Sequence, residues 1–255
     1  MSATPSPEPR IRFLIGGVQK GGTTALAQYL RRHPRLRLPR DKEAHVFDSN
    51  AADWSVAAVD ARYAAHFDAA DASVLHGDAT PFYLFHQVCI ERISCYNPAM
   101  RWIVLLREPG ARAISHHAME RARGRDRLPL WPALLLERWR LRGDADPLAR
   151  GSRLRRFSYR ARGDYARQLD TLYAHFPREQ VLLMRSDALR TDPDACVARA
   201  CEFLGVETPP DDSWDYPPVF VGTSPPPGRL TLALARWLMR RERTALRERH
   251  GIAFD

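Results

Sequence analysis

The sequence predicts an α/β domain of the P-loop type, a three-layer fold whose central, mainly parallel sheet is flanked by helices. A short apolar run, a glycine-rich stretch and a helical pattern follow one another over residues 12–32. That order of strand, glycine loop and helix opens many nucleotide-binding folds. Apolar runs and helical patterns then alternate along the chain, which favours a parallel sheet. The length of 255 residues fits one such domain.

Each predicted strand is a short apolar run bounded by charged or turn-forming residues. These runs cover residues 12–16, 36–38, 73–77, 102–106 and 180–184. Several predicted helices have recognisable ends, since Pro34 follows the first, Pro109 lies in the first turn of another and Gly205 ends a third. The predicted helices cover residues 23–32, 56–67, 84–96, 109–119, 159–175, 193–204 and 229–249.

Two further stretches complete the predicted organisation. Residues 1–10 are rich in Pro and Ser, so we expect a disordered tail before a single domain over residues 11–255. Residues 121–157 contain two arginine-rich runs around a Trp- and Leu-rich helical pattern. This segment does not fit the alternation, and we expect it to be a flap or insertion over a site. Such sites lie beyond the carboxyl ends of the parallel strands.

The composition excludes several classes of protein. Four cysteines without a CxxC pair are too few for a disulfide scaffold and do not suggest a structural zinc site. No apolar run approaches the roughly 18 residues that a membrane helix needs. No hydrophobic signal region follows a basic amino terminus. We therefore expect a cytoplasmic protein without a membrane span.

The charge of the chain indicates an anionic partner. Lys and Arg number 39 against 30 Asp and Glu, which gives a formal net charge of +9. Nucleic acid, an anionic surface or a small polyanion would suit this charge, but no nucleic-acid motif is present, so we expect no nucleic-acid partner. Only Lys20 and Lys42 are lysines. Because lysine supplies a compact point charge that the planar arginine fork cannot imitate, both are candidate functional residues.

Residues 17–24 (GVQKGGTT) have the spacing of a phosphate-binding loop. The glycines allow backbone N–H groups to surround an anion, and the helix that starts near Thr23 adds its dipole. The Walker pattern requires a lysine where this chain has Thr23, and the lysine stands three residues earlier, at Lys20. The strand at 102–106 ends in Arg107 instead of a carboxylate for Mg²⁺. The loop therefore predicts phosphate binding without the layout of an ATPase.

Several segments resemble the sulfotransferases that use 3′-phosphoadenosine 5′-phosphosulfate (PAPS), particularly the heparan-sulfate type and its bacterial relatives. FLIGGVQKGGTTAL (13–26) resembles their 5′-phosphosulfate loop. KEAHVFD (42–48) resembles their KExHFF block, with Val46 in place of the usual Phe. LLREPGARAISHH (105–117) resembles their 3′-phosphate block. Weaker similarity continues through RGDY, FPREQVLLM and FLG, so the resemblance covers roughly residues 11–250.

The resemblance implies transfer of a sulfuryl group from PAPS to an acceptor oxygen or nitrogen, with 3′,5′-ADP as the product and no metal. Lys20 would contact the bridging oxygen of the donor, and Glu43 would be the general base. His45 is a third catalytic candidate, although a structural role suits it as well. If Glu43 is not the base, His76 and His86 are the next candidates.

The resemblance also implies a nucleotide site. Arg107 and Ser115 would hold the 3′-phosphate, and Gly228 and Arg229 match part of a Lys-Gly-Arg-like loop that here lacks its lysine. The full set of expected nucleotide-binding residues is Gln19, Lys20, Gly21, Gly22, Thr23, Thr24, Ala25, Arg107, Ser115, Gly228 and Arg229.

On the acceptor side, the expected residues are Lys42, Thr80, Pro81 and Tyr83. The arginines of the 121–157 segment could attract an anionic acceptor, namely Arg121, Arg123, Arg125 and Arg127. The acceptor class implied is a small molecule, a lipid or a glycan. Two other interpretations stay open: a P-loop small-molecule kinase, which would require Mg²⁺, and a non-catalytic protein that binds nucleotides or polyanions.

Overall fold

The computed structural model describes residues 10–67, 73–208, 216–217 and 227–254. Its centre is a parallel five-stranded sheet with the order β2-β3-β1-β4-β5. The strands are β1 (Ile11–Gly17), β2 (Leu36–Arg37), β3 (Leu75–Asp78), β4 (Arg101–Leu106) and β5 (Val181–Arg185). Helices cover both faces, which confirms the predicted α/β class. The predicted tail, apart from Arg10, lies outside the described residues.

The helices follow the strands in the predicted alternation. They are α1 (Thr23–Leu30), α2 (Val56–Ala64), α3 (Phe82–Phe85), α4 (Gln87–Tyr96), α5 (Pro109–Ala122), α6 (Leu130–Leu135), α7 (Glu137–Arg140), α8 (Arg153–Phe157), α9 (Tyr165–His175), α10 (Ser186–Thr191), α11 (Pro193–Leu204), α12 (Arg229–Leu238) and α13 (Arg240–His250). Within the described ranges, no helix combines the length and the apolar composition that crossing a bilayer requires.

The sheet is buried on both faces, as the continuous apolar runs predict. On β1, Phe13 and Ile15 pack towards α1 and α11, whereas Leu14 packs towards α3, α4 and α9. These are two core layers, one on each face of the sheet. Trp102 of β4 is fully buried in the layer that contains Leu14, α3, α4 and α9. The two layers hold the carboxyl ends of β1, β3 and β4 side by side, so the segments that follow these strands meet at one edge.

Three predicted helices differ from the observed ones. The pattern at 84–96 contains two helices, because the backbone at His86 is extended and separates α3 from α4. The last predicted helix is interrupted at Met239, which is buried and lies between α12 and α13. The helix predicted from residue 159 begins only at Tyr165, since the Asp164 carboxylate caps its amino end by accepting from the Arg167 N–H at 3.4 Å.

The segment at 121–157 is helical for much of its length. It contains α6, α7 and α8, and Ala133 and Leu134 of α6 pack with Ala113 of α5 and with Tyr159. This small core is separate from the two layers around the sheet. The segment therefore has a fixed position against α5.

Candidate active site

A tight loop connects β1 to α1 at the carboxyl edge of the sheet. The Val18 N–H donates to the Leu105 carbonyl and the Gly21 N–H donates to the Val18 carbonyl, both at 2.9 Å. A Cβ on Gly21 would lie 2.6 Å from the Leu105 oxygen. Gly22 has a φ of 97°, a conformation that favours glycine. Gly21 and Gly22, two of the three glycines of the predicted phosphate loop, are thus required by the path of the backbone.

The amino end of α1 is suited to an anion. The first-turn N–H groups of a helix have no intrahelical acceptor, and in the portion of the chain that the structure describes no side chain caps them. They belong to Thr23, Thr24 and Ala25, which the sequence assigns to the nucleotide. This observation fits a phosphate group at the end of the helix, where the dipole adds to the attraction.

Lys20 and Arg107 lie together beside this loop. The Arg107 Nη1 donates to the Lys20 carbonyl at 3.1 Å, and within the described ranges Arg107 forms no ion pair. Burial, together with the positive charges of Arg107 and Arg123, lowers the pKa of Lys20. Burial also lowers the pKa of Arg107. Two partly buried cations side by side destabilise the fold unless an anion lies near them, which suits an anionic nucleotide at this loop.

The remaining predicted nucleotide residues lie on α5 and at the start of α12. Ser115 is half-buried on α5, whose amino end is capped by Glu108 through the N–H groups of Gly110 and Ala111 at 3.1 and 2.7 Å. Gly228 precedes α12 with a φ of −59°, which does not require glycine. Arg229 lies in α12 and lines a groove of about 460 Å³ between α12 and α13.

Glu43 belongs to a chain of ionic contacts. Its Oε2 is 3.2 Å from His45 Nε2, and His45 Nδ1 is 2.8 Å from Asp48 Oδ2. Arg155 Nη1 then approaches the same Asp48 oxygen at 2.7 Å. Because Asp48 is fully buried, this chain anchors the base-bearing segment to α8. Asp48 ends the KEAHVFD block, and the motif alone does not predict its role.

These contacts set the protonation of the chain. Burial opposes ionisation of Glu43, but the hydrogen bond to His45 and the charge of Lys42 outweigh it and lower the pKa of Glu43. Burial likewise disfavours charged His45, yet hydrogen bonds to Asp48 and Glu43 prevail and raise the pKa of His45 to about 9. At neutral pH, Glu43 is therefore a carboxylate and His45 an imidazolium with both nitrogens engaged. A positioning role for His45 fits this geometry better than a role as base.

Lys42 joins the two halves of the site. Its Nζ is 3.4 Å from Glu43 Oε1 and 3.5 Å from the Thr23 hydroxyl at the start of α1. Lys42 thus links the carboxylate predicted to be the base with the loop predicted to hold the donor.

The three predicted catalytic residues share an unusual backbone conformation. Lys20, Glu43 and His45 have φ values of 68°, 70° and 55°, and no other non-glycine residue in the described ranges has a positive φ. Left-handed conformations are strained for side chains with a Cβ, and strained residues concentrate at functional sites. The backbone therefore identifies the same three positions that the motifs identify.

A cavity of about 220 Å³ opens beside Glu43 and His45. Gln19, which precedes Lys20, lines one side. The remaining lining residues are Pro81, Phe82, Glu120, Arg123, Arg125, Arg150, Arg155, Arg156 and Arg162. The wall is strongly cationic, and it comes from the 121–157 segment and the residues that follow it.

The arginines of the predicted flap separate into two groups. Arg123 and Arg125 line the cavity and approach the Glu120 carboxylate at 3.4 and 3.7 Å. Arg121 donates instead to the carbonyls of Arg127 and Leu128. Sequence reasoning missed Glu120 and the four other arginines of the wall, although the basic run at 150–156 was a visible signal.

Of the four residues other than arginines that were expected on the acceptor side, only Pro81 lines the cavity. Tyr83 is fully buried, and its hydroxyl donates to Asp78 at 2.8 Å and accepts from the Val46 N–H at 2.9 Å. Thr80, also fully buried, donates to Asp78. Thr80 and Tyr83 thus connect the end of β3 to the segment that carries Glu43, which is a supporting role.

The alternative histidines do not themselves line the cavity. His76 is buried on β3 against Phe67, with ring centroids 4.7 Å apart. His86 stacks on Phe82, and burial together with nearby arginines lowers the pKa of His86. Their surroundings leave Glu43 as the residue best placed to act as base.

Comparison with known proteins identifies the family. A model described as "Sulfotransferase domain" matches residues 10–215. Heparan sulfate glucosamine 3-O-sulfotransferase 6 from Mus musculus is 31% identical over 203 residues, or 80% of this chain and 54% of that protein. The human 3A1 enzyme of the same type is 29% identical over 197 residues, or 76% and 44% of the respective chains. The chain thus spans about half the length of the curated relatives it matches.

A solved structure agrees with the sequence comparison. The crystal structure of a sulfotransferase from Alicyclobacillus acidocaldarius matches with a TM-score of 0.74 and 27% sequence identity, covering 94% of this chain and 95% of that one. The family expected from the loop, the KEAHVFD block and the Arg107 block is therefore confirmed. This chain belongs to the sulfotransferase domain family.

Proposed function

We propose that the domain transfers the sulfuryl group of PAPS to a hydroxyl, or an amine, of an acceptor by in-line displacement. The observation that carries the proposal is the contact of Lys42 with both Glu43 and Thr23. It brings a carboxylate that is ionised at neutral pH next to a loop suited to a phosphate group. Membership of the sulfotransferase family supports the same reaction.

The donor supplies an activated sulfuryl group on a phosphate that leaves as 3′,5′-ADP. The N–H groups at the start of α1 would hold the 5′-phosphate, with Lys20 beside them to offset the negative charge that grows on the leaving oxygen. Arg107 lies near the same loop and forms no ion pair with the residues that the structure describes, and we assign the 3′-phosphate to Arg107 and Ser115. This assignment rests on the motif and on the position of Arg107 beside Lys20.

Glu43 would activate the acceptor. As the new sulfur–oxygen bond forms, the acceptor hydroxyl loses its proton to a Glu43 carboxylate oxygen, and the bond from sulfur to the bridging oxygen breaks. His45 keeps the carboxylate oriented through its 3.2 Å contact and is itself held by Asp48. Lys42 steadies the other carboxylate oxygen.

The acceptor side favours an anionic glycan among the three expected classes. Six arginines line the cavity beside Glu43, and guanidinium groups bind carboxylates and sulfates through paired hydrogen bonds. The relatives named as heparan sulfate glucosamine 3-O-sulfotransferases act on a glycan according to their names. A small-molecule or lipid acceptor bearing acidic groups would use the same wall. A cytoplasmic location stays a prediction.

The test compares Glu43→Gln with Glu202→Gln, an exposed residue of α11 that serves as the matched control. Transfer of radiolabelled sulfuryl from PAPS to heparan sulfate, and to a panel of anionic small molecules and lipids, gives the activity. We expect Glu43→Gln to lose about 10²–10⁴-fold in turnover, the usual contribution of a general base. Full turnover in Glu43→Gln would remove the base assignment.

Calorimetry tests the donor separately. Wild type should bind 3′,5′-ADP more tightly than 5′-AMP, and Arg107→Ala should lower this preference by roughly tenfold or more, because hydrogen bonds to charged groups contribute about 1.5–3 kcal/mol. Glu43→Gln should bind 3′,5′-ADP normally. Equal affinity for the two nucleotides would contradict the 3′-phosphate site, and a preference for ATP with Mg²⁺ would favour a kinase.

A further inference from the structure

An exposed apolar surface lies outside the site described above. Within the described ranges, the large apolar side chains with high exposure all fall on two helical segments. We call them the apolar patch, which consists of Leu135, Leu136, Trp139, Leu230, Leu234 and Trp237. Two of the six are tryptophans, with exposed fractions of 69% for Trp139 and 62% for Trp237. Soluble surfaces rarely group such residues without a binding partner.

The patch follows from the sequence of α12. Leu230, Leu234 and Trp237 are spaced four and three residues apart, so they share one face of the helix. The opposite face carries the buried Ala235, and Met239, which follows the helix, is buried as well. The helix is therefore apolar on two sides, of which only one is used for packing within the domain.

The two segments of the patch pack against the same small core. Leu238 of α12 packs against the core that contains Leu134 of α6 and Tyr159. The exposed residues that follow on α6 and α7 are Leu135, Leu136 and Trp139. Both segments are helical and pack against this small core.

The exposed charged residues beside the patch are arginines, which favour an anionic partner. α12 contains no acidic residue, and its neighbours on the exposed side include Arg240, whose guanidinium lies 4.4 Å from the Trp237 ring centroid. On α7, Arg138 is exposed, whereas the acidic Glu137 is buried and accepts from two backbone N–H groups. The exposed charges of α12 and α7 are thus positive.

We propose that the apolar patch docks the domain on the surface of a membrane that contains anionic phospholipids. Leucine and tryptophan side chains would enter the boundary between headgroups and acyl chains, while the arginines beside them would contact the phosphates. The segment lies in the plane of the surface and does not span the bilayer. This inference is independent of the proposed transfer reaction, because no residue of the patch belongs to the Lys20–Glu43 site.

Vesicle co-sedimentation of the full chain tests the proposal. The probes are vesicles of phosphatidylcholine alone and of phosphatidylcholine mixed with phosphatidylglycerol. Wild type should bind the anionic vesicles and release at high salt. Leu234→Ser/Trp237→Ser should lower binding by about tenfold or more, because each apolar side chain loses its burial. Arg240→Gln/Arg241→Gln should lower it by roughly fivefold per arginine.

The matched control is Arg35→Gln/Arg37→Gln, which removes two exposed arginines near β2 and should bind like wild type. Circular dichroism and 3′,5′-ADP calorimetry check that each variant is folded. Equal binding of wild type to neutral and anionic vesicles would overturn the proposal. So would binding that Leu234→Ser/Trp237→Ser leaves unchanged. A concentration-dependent dimer lost in that variant, without vesicle binding, would make the patch a protein interface instead.

Discussion

Replacing His45 by glutamine should change how the stability of the domain depends on pH. Contacts with Asp48 and Glu43 raise the pKa of His45 from 6.5 to about 9, although burial opposes them. The folded state therefore holds a proton that the unfolded chain releases between these two values. The stabilisation is fully present below pH 6.5 and is lost as pH rises through about 9.

The size of the effect follows from the pKa. Each pKa unit corresponds to about 1.4 kcal/mol, so the rise from 6.5 to about 9 is worth at most roughly 3–4 kcal/mol. The His45 side chain is 22% exposed, so solvent screens part of this. Between pH 6.5 and 9, the free energy of unfolding measured with urea should therefore fall by about 2–3 kcal/mol more for wild type than for His45→Gln. This difference corresponds to a shift of the urea midpoint by roughly 1 M.

The control for this experiment is His175→Gln, an exposed histidine on α9. It should show the wild-type dependence on pH. The carboxylates of Glu43 and Asp48 have lowered pKa values and stay ionised throughout this window, so they do not obscure the result. If wild type and His45→Gln lose stability in parallel between pH 6.5 and 9, the imidazolium between two carboxylates does not exist in solution.

Three further results are expected. Gly21→Ala places a Cβ 2.6 Å from the Leu105 carbonyl oxygen. Thermal unfolding should therefore show a stability lower by roughly 1–3 kcal/mol, and calorimetry should show weaker 3′,5′-ADP binding. Tyr83→Phe removes the hydroxyl that contacts Asp78 and should cost about 1–3 kcal/mol in urea unfolding, whereas Tyr173→Phe on α9 should cost less. Sulfuryl transfer should survive EDTA at the wild-type rate, and loss of activity restored by Mg²⁺ would contradict the predicted metal-free reaction.

The fold and the donor loop were largely predictable from local patterns. Apolar runs gave the strands of the parallel sheet, and the glycines of residues 17–22 gave the turn before α1. The interruptions at His86 and Met239 were not predictable, because tertiary packing decides whether a helical pattern continues. Met239, for example, is a good helix former whose burial between α12 and α13 only the folded chain reveals.

The candidate site divides in a similar way. Lys20, Glu43 and Arg107 follow from short motifs, since each lies within a few residues of a strand end. The cationic wall does not, because Arg155 and Arg162 reach the cavity from segments more than one hundred residues away from Glu43 in the chain. The role of Tyr83 does not follow either, because the sequence places it on the acceptor side, whereas its hydroxyl donates to Asp78 in the structure.

The left-handed backbone of Lys20, Glu43 and His45 has an evolutionary consequence. At each position the left-handed conformation costs about 1 kcal/mol of stability, which glycine or asparagine would reduce. Mutants selected in the laboratory for heat tolerance alone should therefore acquire those residues. A thermostabilised enzyme obtained in this way would gain robustness while losing turnover. Engineering of this domain should hold these three codons constant and look for stability elsewhere.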